Sequence, residues 1–415
     1  MPTRPNNQRR LSEGGWKAPI GLVLTGGGAR AAYQVGVLSG VFEILDPSRS
    51  PQFFNPFSII CGTSAGAINA AALACRADTP HIAIDRARYL WENIHTEMVY
   101  RSDPSGLFLT GLRWFGMLAA GWLMPRLRSR YPHSLLDNEP LSRLLSATLD
   151  FEHLSHNLKQ GYLDALAITA TGYVSGEHLT FYQSKGTIKP WTRSLRRAIP
   201  CSISVDHLLA SSSIPFIFPA QAMLVHGQTE WCGDGSMRQM APMSPAIHLG
   251  AEKILVIGTG YRDSVHIEQR TINSEYPTLA QISGHALSNI FLDSLSMDVE
   301  RLDRINGLLA LMPAEALNKQ PLRPVSTFLI APSRSLDDIA LEHLDKMPRA
   351  ARSLFRVLGV SSGSVPNGSA SGSGGALISY LLFEASYTQE LINLGRADSL
   401  SRIDEVKAFF KESPE

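Results

Sequence analysis

Apolar positions in this chain fall into short continuous runs that stop at small-residue turns and are followed by helical spacing. Ile20-Gly21-Leu22-Val23-Leu24 predicts a buried strand; it runs into Thr25-Gly26-Gly27-Gly28-Ala29-Arg30 and then a helix from about Ala31 to Leu45. Phe57-Ser58-Ile59-Ile60-Cys61 predicts a second strand, which ends at Gly62-Thr63-Ser64-Ala65-Gly66 before an alanine-rich helix. Two successive strand-turn-helix units imply a mainly parallel sheet covered by helices, a three-layer α/β sandwich. Ala165 to Ala170, His178 to Gln183 and Lys253 to Gly258 are further strand candidates, and Ser202 to Ser213 reads as mostly helical. Beyond about Arg262 the spacing turns helical, as in Leu279 to Leu302 and Ile378 to Leu394, with a Ser/Gly-rich loop at 361–375. The chain thus divides into a disordered tail (1–18), a catalytic unit (19–262) and a mainly helical C-terminal extension (263–415). There is no internal repeat.

Composition narrows the class. The 415 residues are 44% hydrophobic and 18% charged, as in a globular chain with a large core. With 38 basic against 37 acidic residues the net charge is +1, which gives no footing for a nucleic-acid partner. Cys61, Cys75, Cys201 and Cys232 show no paired spacing and read as packing residues rather than a disulfide framework or a metal site. The polar N-terminus lacks the apolar core of a secretory signal, so the expected location is cytoplasmic or peripheral to a membrane. Nothing in the residues specifies an oligomeric state.

Two stretches stand apart from the sheet-and-helix pattern. Leu107 to Met124 is almost entirely apolar, carries Trp114, Phe115 and Trp122, and lies in an arginine-rich insertion at about 101–133. It reads as a helix on the protein's own core, as a lid or peripheral membrane contact through 107–130, or as a span interrupted by Arg113. Lys185 to Arg197 holds five cations, Trp191 and no acid, and reads as a solvated surface or a contact for lipid phosphates.

Acyl transfer needs a nucleophile, a base and donors for an oxyanion. Ser64, in a G-x-S-x-G turn between strand and helix, supplies the first; the other reading of that turn is a serine that only caps the helix. Gly26-Gly27-Gly28 presents consecutive backbone amides and opens a helix, as an anion nest does. It also fits a dinucleotide pattern with Asp46 as the acid, although Asp46 precedes a Pro-Ser-Arg-Ser-Pro turn rather than ending a strand. Asp234, in Gly233-Asp234-Gly235-Ser236, is the best-placed base; His248, His266 and His285 are the histidines that position leaves open.

These motifs, in this order, resemble the patatin-like phospholipases. The segment Ala210-Ser211-Ser212-Ser213-Ile214-Pro215-Phe216-Ile217-Phe218-Pro219 and the residues Pro242 and Gly250 to Ile254 are similar to the family's flanking segments, so the likeness covers about Ile20 to Gly258. The resemblance implies a Ser64–Asp234 dyad without histidine and an oxyanion hole built from Gly26, Gly27, Gly28, Ala29 and Arg30. It implies a nucleophile turn of Gly62, Thr63, Ala65 and Gly66, and a base motif extended by Gly235 and Ser236. Arg30 would shape its loop or meet a phosphate. Substrates would be acyl esters of membrane phospholipids or lysophospholipids, with no metal or other cofactor. Ala31 and Ser236 depart from the family's usual glycine and small apolar residue. The rival readings are a histidine-dependent α/β-hydrolase esterase and an inactive membrane-binding scaffold.

Overall fold

The computed structural model describes residues 18–101, 134–260, 293–317, 322–357 and 374–411, with isolated positions at 282–289 and 360. The N-terminal tail, nearly all of the 101–133 insertion, most of the 361–375 loop and His266 lie outside the described residues.

One sheet of ten strands organises the described residues. In chain order these are β1 (Ile20–Leu24), β2 (Ile59–Thr63), β3 (Ala165–Gly172), β4 (His178–Ser184), β5 (Thr192–Arg193), β6 (Arg196–Pro200), β7 (Gln221–Val225), β8 (Gln228–Asp234), β9 (Lys253–Ile257) and β10 (Ser326–Ile330). Across the sheet the order is β10-β9-β1-β2-β3-β4-β6-β5, and β10 through β3 are parallel. Helices cover both faces, so the fold is the expected three-layer α/β sandwich. The parallel strands are buried on both sides, which is why they read as continuous apolar runs rather than alternating ones. Leu22, Leu24 and Ile60 face one helical layer, while Val23, Ile59 and Cys61 face the other.

The β3 neighbourhood decides the site. β2 runs alongside β3 and stops where Thr63 meets Thr169. β8 approaches the same edge of β3 from the opposite direction and stops where Asp234 meets Ala170. Two strands thus abut end to end beside β3, and the residues that leave them, Ser64 and Asp234, meet.

Several boundaries differ from the sequence expectation. β2 is shifted to Ile59–Thr63, because Gly62 and Thr63 continue the parallel ladder with Leu24, Ile168 and Thr169. The helix expected over Ser202 to Ser213 is limited to Val205–Ser211, with Ser204 and His207 forming its capping box. Ile378 to Leu394 is two helices, Gly375–Leu381 and Ala385–Leu400, broken at Leu382 to Glu384. After residue 262 the described residues are mainly helical, but they also add β10 to the sheet edge. Helix Ala385–Leu400 lies on α1 (Ala32–Leu45) through glycine contacts: a Cβ on Gly36 or Gly395 would strike the carbonyl of Ile392 or Tyr33.

Candidate active site

Ser64 sits between β2 and α2 (Ala65–Ala74) with φ 54° and ψ −130°. A non-glycine residue in that region costs on the order of 1–3 kcal/mol and persists only where its surroundings enforce it. The enforcement is visible. The backbone N–H of Ser64 donates to Ser211 Oγ at 2.8 Å. A Cβ on Gly62 would strike Ala67 Cα and the Gly66 carbonyl, and one on Gly66 would strike the carbonyls of Leu24 and Thr25. The glycines of the motif are therefore demanded by backbone-to-backbone contact.

The hydroxyl of Ser64 donates to Asp234 Oδ2 at 2.6 Å, and both side chains are buried. The other carboxylate oxygen accepts from the Ser236 N–H at 2.9 Å, and Thr171 Oγ1 donates to the Asp234 carbonyl. Burial pushes the Asp234 carboxyl up to about 6, against the opposing effect of the Ser64 and Ser236 hydrogen bonds. Gly235 is required because a Cβ there would meet the Thr169 carbonyl. Ser236 bonds the Asp234 carboxylate through its backbone N–H.

The glycine loop forms a short 3-10 turn, Gly28–Ala31, held by the Arg30 N–H donating to the Gly27 carbonyl at 3.1 Å. The Arg30 amide is thus engaged within the turn, and the Gly26 carbonyl accepts from Thr259 Oγ1. Among the described residues no protein acceptor takes the amides of Gly27, Gly28 or Ala29. Gly28, at φ 54°, shares a cavity wall with Ser64. The cavity has a volume of about 700 Å³ and is mostly apolar; Ile68, Ala72, Trp91, Leu145, Ile214 and Phe383 are among its lining.

Arg30 does not face this cavity's serine as a phosphate ligand would. Its buried guanidinium is paired with Asp337 and Ser379 of the C-terminal region. Nor does Asp46 serve a nucleotide: its carboxylate bonds His81, Ser48 and the Ser50 amide. His248 stacks on Trp191 at 4.8 Å, and burial, aided by nearby arginines, lowers it to about 4. His285 is exposed, and among the described residues no histidine bonds Ser64 or Asp234. Trp191 also stacks on Tyr182, and Arg197 pairs with Glu177, so two residues of the basic stretch are engaged by the fold itself. Among the described residues no cluster of three metal-ligating side chains occurs, and no helix is long and apolar enough to cross a membrane. The four cysteines are unpaired, three of them fully buried.

The family model for patatin-like phospholipase matches residues 22–247, more than half of the chain. The chain belongs to the patatin-like phospholipase family. The matched span contains every motif residue from the glycine loop to Ser236. A search of curated proteins gives no significant match. Among solved structures, VipD from Legionella pneumophila aligns over 91% of this chain and 67% of its own, at 13% identity and a TM-score of 0.34. Human GIVD cytosolic phospholipase A2 in complex with methyl gamma-linolenyl fluorophosphonate aligns over 95% and 58%, at 13% identity and 0.43. The same enzyme with terbium chloride also present gives 98% and 60%, at 14% and 0.42. The chain therefore spans about three fifths of the human phospholipase chains.

Within this patatin-like site, sequence reasoning left several positioning residues unassigned. Asn69 donates to the Ala31 carbonyl and to Gln34, and accepts from Trp91 Nε1, tying the helix after Ser64 to the glycine loop. Its signal was a lone amide in an otherwise apolar helix. Thr169 bonds Thr63, which also accepts from Gln239. Ser211 lies in a segment of family likeness, but only the fold shows that it holds the Ser64 amide.

Proposed function

We propose that this protein cleaves carboxylic esters of membrane phospholipids or lysophospholipids through a Ser64–Asp234 dyad. The carrying observation is the buried 2.6 Å hydrogen bond from Ser64 to Asp234 at the wall of an apolar cavity. Ser64 Oγ attacks the ester carbonyl while its proton passes to Asp234 Oδ2. The tetrahedral oxyanion takes the amides of Gly27, Gly28 and Ala29, which carry no competing protein acceptor. Asp234 then gives its proton to the departing lysolipid or glycerol oxygen. Water, deprotonated by the same carboxylate, attacks the acyl-enzyme; the bond between Ser64 Oγ and the acyl carbon breaks, Asp234 returns the proton to Oγ, and a fatty acid leaves. A carboxylate with a pKa of about 6 suits both halves, since it is ionised at neutral pH yet close enough to it to hold and return a proton. The apolar cavity offers room for the acyl chain, because about 700 Å³ lies within the range of small-ligand pockets.

The test is a fluorophosphonate probe on the wild type and on Ser64→Ala, Asp234→Asn and His248→Ala, with phospholipid vesicle hydrolysis measured in parallel. Labelling and fatty-acid release vanish in Ser64→Ala, fall by orders of magnitude in Asp234→Asn, and persist in His248→Ala. Equal labelling of Ser64→Ala, or full activity in Asp234→Asn, refutes the dyad; unlabelled, inactive wild type returns the reading to a scaffold.

A further inference from the structure

We infer that Asp337, outside the family-matched span, is a positioning residue for the oxyanion loop, acting through Arg30; this rests on the hydrolase reading above. Arg30 is the last residue of the glycine loop, and its side chain is 3% exposed. Its guanidinium leaves the sheet edge and enters the C-terminal region. Nη2 pairs with Asp337 Oδ1, Nε donates to Ser379 Oγ at 2.8 Å, and Nη2 also reaches the Ala376 carbonyl at 3.4 Å. Ser379 Oγ lies 2.9 Å from the same Asp337 oxygen, and the Tyr380 ring sits under the guanidinium at 4.0 Å.

The backbone makes the same junction. Gly28 packs so closely on the Tyr380 carbonyl that no Cβ fits between them. The loop is therefore clamped twice by helix Gly375–Leu381: by glycine contact at Gly28 and by the bonds Arg30 donates to Ser379 and the Ala376 carbonyl. Asp337 supplies the anion, from the first turn of helix Leu336–Glu342, where Ser335 caps the amide of Asp338.

A buried guanidinium without its carboxylate is strongly unfavourable, so the chain relaxes to hydrate it. The Arg30 amide closes the turn that orients Gly27 to Ala29, so relaxation at Arg30 displaces the donors for the oxyanion. Those donors act mainly on the transition state, so their displacement lowers kcat and leaves substrate binding nearly unchanged. Helices Leu336–Glu342 and Gly375–Leu381 thus position the glycine loop.

The experiment compares full-length wild type, Asp337→Asn, Arg30→Met and Arg30→Met/Asp337→Asn by steady-state kinetics on a soluble ester and by hydrogen exchange read by mass spectrometry. Asp337→Asn is expected to lower kcat about tenfold or more with KM within about twofold. Exchange should rise in peptides spanning 25–31 and stay unchanged in β3 and β4. On the Arg30→Met background Asp337→Asn should add little further loss, because the route through Arg30 is gone. Unchanged kcat and exchange in a folded Asp337→Asn, or losses that multiply in the double variant, overturn the inference. An inactive wild type sinks the hydrolase reading instead, and exchange at 25–31 then decides the clamp alone. If Asp337→Asn does not fold, Asp337→Ser, which removes the charge and keeps a small polar side chain in the helix's first turn, is measured in the same way; unchanged kcat and 25–31 exchange in a folded Asp337→Ser also overturn it.

Discussion

Replacing Asp234 with asparagine should make the protein more stable as it destroys activity, and the gain should carry a pH signature. In the folded protein burial holds this carboxyl at about 6, against an ordinary value of 3.8. Between those values the native state keeps a proton that the unfolded chain has lost. Stability contributed by that proton is therefore lost as pH rises from about 4 to about 6, and above 6 the ionised, buried carboxylate costs the folded state about 3 kcal/mol. Asparagine keeps the shape and an acceptor oxygen for the Ser236 amide but never ionises. The stability of Asp234→Asn relative to wild type, measured by denaturant unfolding, should therefore be flat below pH 4. It should rise through pH 4–6 by about 3 kcal/mol and then level off. The same group sets the acid limb of kcat/KM in the wild type, which should fall about tenfold per pH unit below about 6. A stability difference that does not change between pH 4 and pH 8 refutes the argument, because the carboxyl would then not be perturbed in the native state.

Two further substitutions probe the cavity and the loop. Ala72→Phe fills the apolar cavity beyond Ser64 and should cut hydrolysis of long-chain esters at least tenfold while sparing acetate or butyrate esters; equal loss on both shows that the chain does not enter there. Gly28→Ala drives a methyl into the Tyr380 carbonyl and adds strain at a positive φ. It should cost about 1–3 kcal/mol and most of kcat, and an unchanged denaturation midpoint with normal kcat would show that the loop yields freely.

Strands β1, β2, β3, β4 and β9, the two leading strand-turn-helix units and the Ser64 turn were legible because their patterns are local, whereas the short strands β5 to β8 were not. Buried parallel strands read as continuous apolar runs, and the turns at Gly26 to Arg30 and Gly62 to Gly66 announce themselves by small residues that the backbone contacts require. β10 was missed inside a region of helical spacing, since Ser-Thr-Phe-Leu-Ile is too short to distinguish from a helical turn by periodicity. Arg30 was identified as a loop residue but its partner was not, because Asp337 lies 307 residues away and an aspartate in a helix's first turn looks like ordinary capping chemistry.

By itself the sequence determined which serine stands on a strand-to-helix turn, since the apolar run before it and the alanine-rich helix after it are local patterns. The tertiary structure decided how the Asp234 carboxylate reaches that serine, where the apolar cavity runs and what holds the glycine loop. Ser64 and Asp234 are 170 residues apart and touch because β2 and β8 end at successive positions along β3, Thr169 and Ala170. Adjacent strand positions are only about 3.3 Å apart, so register across the sheet brings the two side chains within hydrogen-bond reach. Burial of the pair then raises the carboxyl, an effect of the assembled core that no stretch of the chain carries alone.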